Sequence, residues 1–148
     1  MIDFESIVID RVFRAVNEAF PGTTVLGQLV PVPAKLPCVM VYETQNAVVP
    51  ELMSADRIER YADVSYRVII YTSESGRKAK ANAILSVVDD ALSRIVEDAE
   101  IGTAAGLNRY SKSYSFGLNE SELCCITANY SGRVSESPNG ETFTIYRR

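Results

Sequence analysis

Apolar residues recur at every fourth position near the start of the chain, at Phe4, Val8, Val12, Val16 and Phe20, with Ile9, Phe13 and Ala19 widening the stripe. Asp10, Arg11, Arg14, Asn17 and Glu18 take the remaining face, a pattern that predicts an amphipathic helix over 4–20. Asp3 is the candidate N-cap. Pro21-Gly22 marks the stop, because proline disfavours helical geometry in the residue before it and glycine tolerates a sharp reversal. The period then changes. Thr23 to Val30 is rich in β-formers, Pro31, Pro33 and Pro37 interrupt any regular ladder, and Cys38-Val39-Met40-Val41-Tyr42 resumes as a buried strand. Between Arg57 and Thr72 the alternation is strict: Ile58, Ala62, Val64, Tyr66, Val68 and Ile70 share one parity, and Arg57, Glu59, Asp63, Ser65 and Arg67 the other. Such a strand would extend roughly 50 Å, well past the common length, so part of it is expected to bend or project from the domain.

Helical spacing returns after Ser73-Glu74-Ser75-Gly76, with Ala81, Ile84, Leu85, Val88, Ala91, Leu92 and Ile95 forming a second stripe that is expected to end near Ala99. A small-residue loop, Gly102 to Gly106, leads to a strand in which Tyr110, Tyr114, Phe116 and Leu118 share the core-facing parity. Cys124, Ile126, Ala128 and Tyr130 form another strand, and Ser137-Pro138-Asn139-Gly140 turns into Phe143 and Ile145. The order α-β-β-β-α-β-β-β predicts one two-layer α+β domain spanning 1–148, a mainly antiparallel sheet with both helices on one face.

Composition removes more function classes than it suggests. The chain has no histidine, which excludes Ser-His-Asp and Cys-His nucleophile systems and HExxH zinc sites. Nineteen acidic and fifteen basic residues leave a net charge of -4, which gives no global attraction to nucleic acid or anionic lipid. Asp3 and Glu5 stand where a secretory signal would carry Lys or Arg, and no apolar run approaches a bilayer span, so the expectation is a soluble cytosolic protein. Cys38, Cys124 and Cys125 make an odd set without metal-site spacing, and adjacent cysteines on a strand point to opposite faces. Neither a disulfide framework nor a metal site is expected, and no cofactor.

Few residues suggest chemistry. Asp89, Asp90, Glu97 and Asp98 are the densest carboxylates; on one helix Asp90 and Asp98 would lie about 12 Å apart along the axis, too far to share a proton, and read as a solvated acidic face. Arg77, Lys78 and Lys80 cluster at the N-terminal end of the second helix, where the macrodipole disfavours cations; they form a solvated patch or a surface for an acidic partner. Glu43, Arg67 and Tyr71 near strand ends are the residues a small α+β enzyme would use, without any recognisable motif. The segment over 46–57 is harder to dismiss. Val48, Val49, Leu52 and Met53 are sizeable apolar side chains where turn chemistry implies a loop, either a lid on its own domain or an arm that buries them against a neighbouring subunit. Arg60 and Arg67 on the following strand complete the candidate partner surface.

The order of elements resembles that of the tail terminator, or tail-completion, proteins of long-tailed phages and tail-derived particles. The features that carry the resemblance are the first helix ending Ala19-Phe20-Pro21-Gly22, the Pro-rich connection into Leu36-Pro37-Cys38-Val39-Met40-Val41-Tyr42-Glu43, the long strand Tyr61 to Tyr71, the helix Ala79 to Val96 and the closing hairpins. The resemblance implies a non-enzymatic virion protein of the tail-neck region, assembled in the bacterial cytoplasm. It would form a ring, commonly a hexamer, that caps the head-proximal end of the tail tube, stops polymerisation and docks the head-tail connector or stopper protein. Subunits of such a ring would meet through the arm and the unpaired edge of the long strand. DNA would pass through the lumen without specific binding, along a wall that includes Asp89, Asp90, Glu97 and Asp98. The alternatives are a head-completion or neck adaptor protein, a small enzyme, and a dimeric binding module that pairs through a strand edge.

Overall fold

In the computed structural model the described residues are 4–30, 35–48, 60–72, 77–94, 96–98, 103–105, 107–116, 124–136 and 143–146. The first element is α1 (Glu5–Ala19), which buries Val8, Val12 and Val16. Its N-cap position is held by Phe4, whose side chain makes no capping hydrogen bond; Asp3, expected in that role, lies outside the described residues. Packing anchors this end instead, since the fully buried Phe4 ring meets Tyr66 edge-on at 6.3 Å between centroids. Gly22 then adopts a φ of 89°, in the left-handed region that lets the chain reverse. Phe13, expected in the apolar stripe, is half-exposed.

Five strands make a continuous sheet in the order β1-β2-β3-β7-β6, with β1 (Thr24–Leu26) parallel to β2 (Cys38–Val48) and every other pairing antiparallel. A sixth strand, β8 (Phe143–Tyr146), extends the far end of β7 (Cys124–Glu136) beyond β6 (Asn108–Phe116). The helix-facing side of the sheet packs on α1 and α2 (Arg77–Ser93) in one apolar core: Val39 and Val41 from β2, the even positions Ala62 to Ile70 from β3 (Arg60–Thr72), and Cys124 to Tyr130 at even positions from β7. Both helices therefore lie on one face of a mainly antiparallel sheet, the α+β arrangement that the alternation predicts.

Three expectations are corrected. The long strand does not project: β3 is the middle of the sheet, laddered to β2 over 62–71 and to β7 over 60–72, and its even positions stay buried from Ala62 to Ile70. Its length goes into two simultaneous ladders, so it offers no unpaired edge. The second helix stops at Ser93 rather than near Ala99, because the Leu92 carbonyl accepts a hydrogen bond from the N–H of the buried Leu107 at 2.8 Å, which closes the helix end. Residues 96–98 instead form β4, which pairs with β5 (Thr103–Ala105) in a separate two-stranded sheet where a loop was expected. Finally, a register shift between Arg109 and Ser111 turns Tyr110 out of the core parity to 63% exposure, and Tyr114, in register with Ile126 on the edge strand β6, is 38% exposed, so these rings are not core residues.

A smaller cluster lies on the opposite face, where Cys38, Met40 and Ile69 are buried beneath Leu26 and Val30. Cys124 and Cys125 do point to opposite faces, one into each cluster. The fully buried Ile126 lies near the start of β7 in the core facing the helices, and Ile126→Ala is expected to lower unfolding free energy by about 2–5 kcal/mol, whereas Tyr110→Ala changes it by less than about 0.5 kcal/mol, as read by denaturant titration.

Candidate assembly surface

Tyr66 and Tyr130 face each other across the β3–β7 ladder, and both are fully buried. Their hydroxyls diverge. Tyr66 donates to Glu43 Oε2 at 2.7 Å, and Tyr130 donates to Asp89 Oδ1 at 2.5 Å. Glu43 pairs with Tyr66 and Arg109 with Tyr130 in register, so one cross-strand row runs Glu43, Tyr66, Tyr130, Arg109 from one side of the sheet to the other. At its β6 end the carboxylate is compensated, because Arg109 Nη1 lies 3.0 Å from Asp89 Oδ2. Burial, and then the bond to Asp89, pushes the Tyr130 hydroxyl far above the ordinary tyrosine range. At the β2 end Glu43 accepts from Tyr66, and its own backbone N–H donates to Glu5 Oε2 at 2.8 Å. No cation forms an ion pair with Glu5 or Glu43 among the described residues.

The four carboxylates expected on one acidic helix face are dispersed. Consecutive residues on a helix point about 100° apart, and Asp89 turns to Tyr130 and Arg109 while Asp90 is exposed and pairs with Arg94 at 3.6 Å. Glu97 and Asp98 are on β4, past the end of the helix, so the helical spacing assumed for them does not hold. Around Asp90 the two helices form a cleft of about 900 Å³, lined by Arg11, Arg14 and Glu18 of α1 and by Asp90 and Arg94 of α2. Its charges are mixed and partly paired internally, Arg14 with Asp10 at 3.1 Å and Arg94 with Asp90.

The expected arm is only partly in view. Residues 46–48 belong to β2, where Val48 pairs with Ala62; Val49, Leu52 and Met53 lie outside the described residues. Arg60 opens β3 opposite Glu136. Arg67 is on the helix-free face, where its Nε donates to Asn129 Oδ1 at 2.9 Å and Asn129 Nδ2 donates to Ser111 Oγ at 2.8 Å. Farther along this face Arg133 holds Asp63 through two bonds, at 2.9 and 3.2 Å. This half of the face is polar and ordered by its own side chains. The enzyme trio does not converge, since Glu43 engages Tyr66 in the helix-side layer while Arg67 and Tyr71 lie on the other face.

Among the described residues β1, β6 and β8 each pair on one side only, and the two longest open edges of the sheet are β2 beyond Met40 and the outer side of β6. Pattern reasoning missed the second as a feature. There Tyr114 donates to Asn82 Oδ1 at 2.9 Å, with Lys78 Nζ and Lys112 Nζ at 5.0 and 5.1 Å from its ring centroid. The bond with Lys112, then that with Asn82, lowers the Tyr114 pKa. The clue in the sequence is Lys112, which shares its strand parity with Tyr114. Among the described residues no group of His, Cys, Asp and Glu is arranged to hold a metal ion, and no helix is long and apolar enough to cross a membrane.

No protein-family model matches the sequence, and no curated protein matches it. Among solved structures, the fold is similar to a chain in the virion of a native gene transfer agent (GTA) particle, with a TM-score of 0.56 and 21% identity over 88% of this chain and 93% of that one. The likeness is one of fold, and it extends over nearly the whole of both chains.

Four protonated groups are held above their ordinary range by burial first of all: Tyr130, Tyr71, Cys38 and Cys125. Each loses its proton earlier in the unfolded chain than in the folded one, so its stabilisation is complete below the unfolded value and is lost as pH rises toward the folded one. Thermal stability is therefore expected to fall from about pH 8.5 upward, where unfolded cysteine and then tyrosine ionise. Tyr130→Phe should flatten the part of that slope above about pH 10, measured as Tm against pH; an unchanged slope would show that Tyr130 titrates normally.

Proposed function

We propose that this chain is a structural protein of a phage-like virion, a tail terminator that closes as a ring on the head-proximal end of the tail tube. In this role it ends tube polymerisation and offers the docking surface for the head connector. The single observation that carries the reading is the likeness of fold, nearly end to end in both chains, to a chain in the virion of a gene transfer agent particle. The sequence resemblance to tail terminators points the same way. So does the side-chain chemistry, which supplies two differently decorated sheet edges and an internally satisfied face but brings no catalytic constellation together among the described residues.

A ring of identical subunits requires heterologous contacts, one surface of each copy meeting a different surface of the next. A sheet with unlike edges meets that requirement, and six copies are the number the resemblance implies. In such a ring Asp89 and Asp90 contribute little net charge to a DNA passage, since Arg109 and Arg94 stand beside them. A near-neutral wall lets DNA slide without adhering. The apolar residues Val49, Leu52 and Met53 are the proposed inter-subunit arm.

Light scattering with and without purified tail-tube protein, followed by negative-stain imaging, tests the reading. The expected result is a species near six times 16.3 kDa, or a cap on one end of the tube. A chain that ignores tubes and binds head particles would be a neck adaptor instead. Leu52→Asp is expected to leave the thermal transition in place and to reduce assembly; unchanged oligomeric mass would remove the arm from the interface.

A further inference from the structure

The two open edges of the sheet differ in charge. Helix α2 and strand β6 together carry five basic residues, Arg77, Lys78, Lys80, Arg109 and Lys112, against the two acids Asp89 and Asp90. Helix α1 and strand β2 carry the reverse, Glu5, Asp10, Glu18 and Glu43 against Arg11 and Arg14. Internal ion pairs sharpen the contrast. Asp89 is matched by Arg109, Asp90 by Arg94 and Asp10 by Arg14. What remains at one edge is the pair Lys78 and Lys112, neither with a carboxylate in ion-pair range among the described residues. At the other edge the same is true of Glu5 and Glu43.

Neither cluster contains an opposite charge in ion-pair range among the described residues. Lys78 and Lys112 approach the same Tyr114 ring from about 5 Å each, which holds two ammonium groups near one another without an anion. Cations in the first turn of α2, which has no acidic residue, also oppose the helix dipole. At the opposite edge the Glu5 carboxylate accepts the Glu43 backbone N–H and the Glu43 carboxylate accepts from Tyr66, so both are held in place by neutral donors without a counter-charge among the described residues. An opposite charge brought to either cluster would add a Coulomb attraction that no internal ion pair among the described residues already supplies.

Their positions are also compatible with a single rotation. Glu43 shares its cross-strand row with Arg109, and Lys112 lies in the row of Val41, Val68 and Ala128, one helix-facing position away along β2 and β3. Both clusters belong to the helix-side layer, Glu5 and Lys78 being on the helices themselves. Copies placed side by side in the same orientation bring one edge to the other, as a cyclic assembly demands.

We propose that the Lys78 and Lys112 edge of one copy docks head to tail on the Glu5 and Glu43 edge of the next copy of this chain. This interface rests on the ring reading above and specifies which surfaces close it. Because Glu5 already accepts the Glu43 N–H, contact at that point is made by side chains and not by continuing the β ladder. Steering between unlike edges also selects the head-to-tail arrangement over face-to-face pairs, which would set like charges together.

The test is the oligomeric mass of the full chain, free and with tail-tube protein, for wild type, for Lys78→Glu/Lys112→Glu and for Glu5→Gln. The lysines are exposed and the glutamine keeps an acceptor for the Glu43 N–H; thermal melts check that each variant folds. Wild-type assembly is expected to weaken at least tenfold when salt rises from about 0.05 to 0.5 M, where screening shortens to a few ångströms. The double reversal is expected to run at the single-chain mass at concentrations where wild type is assembled, and Glu5→Gln to shift the association midpoint in the same direction. A wild-type ring that persists, with both variants assembling equally well, would overturn the edge assignment and leave the ring reading standing. A wild type that never associates, alone or on tubes, would overturn both.

Discussion

The structure depends on the pair of tyrosines at the centre of its sheet. Tyr66 and Tyr130 are the largest fully buried side chains, and they meet across the ladder between the two longest strands. A buried phenol needs a partner for its hydroxyl, because an unsatisfied donor in the core costs about 1–3 kcal/mol. Each ring lies in the core while its hydroxyl reaches a carboxylate on a neighbouring element, Glu43 on β2 for one and Asp89 on α2 for the other. These two bonds therefore tie the sheet centre to its left-hand strand and to its covering helix. Phe4, packed on Tyr66, ties in the start of α1 as well.

From that row follows the asymmetry of the edges. The carboxylate on α2 faces β6, so an arginine from that strand compensates it. The carboxylate on β2 lies where the sheet loses its outer partner, beyond the three-residue β1, and no cation among the described residues pairs with it or with Glu5, which takes up the Glu43 backbone N–H. A core requirement, the satisfaction of two hydroxyls, thus places unlike electrostatics on the two sides of the domain.

Much of this architecture is legible in the chain because period decides it. The fourfold recurrence from Phe4 to Val16 and the alternation from Ala62 to Ile70 correspond to buried faces in the structure. What pattern does not encode is pairing. Nothing in the alternation around Tyr66 says whether the strand is central or marginal, and its length is explained only by neighbours on both sides. The end of α2 was hidden for a related reason: Ile95 and Val96 continue the helical spacing, but a hydrogen bond from distant Leu107 closes the helix first. In β6 one extra residue at Tyr110 inverts the parity of everything before it, which no periodic reading registers. The candidate surface was less legible than the fold. Arg67 is on the exposed face of a strand as the alternation implies, yet its bonds to Asn129 and Tyr42 join three strands that the sequence does not show to be neighbours.

The central ladder has a further consequence, in time and not in space. Thr72 pairs with Cys124 and Arg60 with Glu136, so the helix and both small strands between them must be looped out before the β3–β7 ladder can form. Closures of that span are entropically expensive and slow the folding of the chain relative to one built from local hairpins. Strand β6 docks only on β7, and β7 gains its other neighbour only through that closure. The basic edge is therefore seated on the rest of the sheet only when this long-range closure is made, whereas α1 and β2, which carry the acidic edge, precede it in the chain.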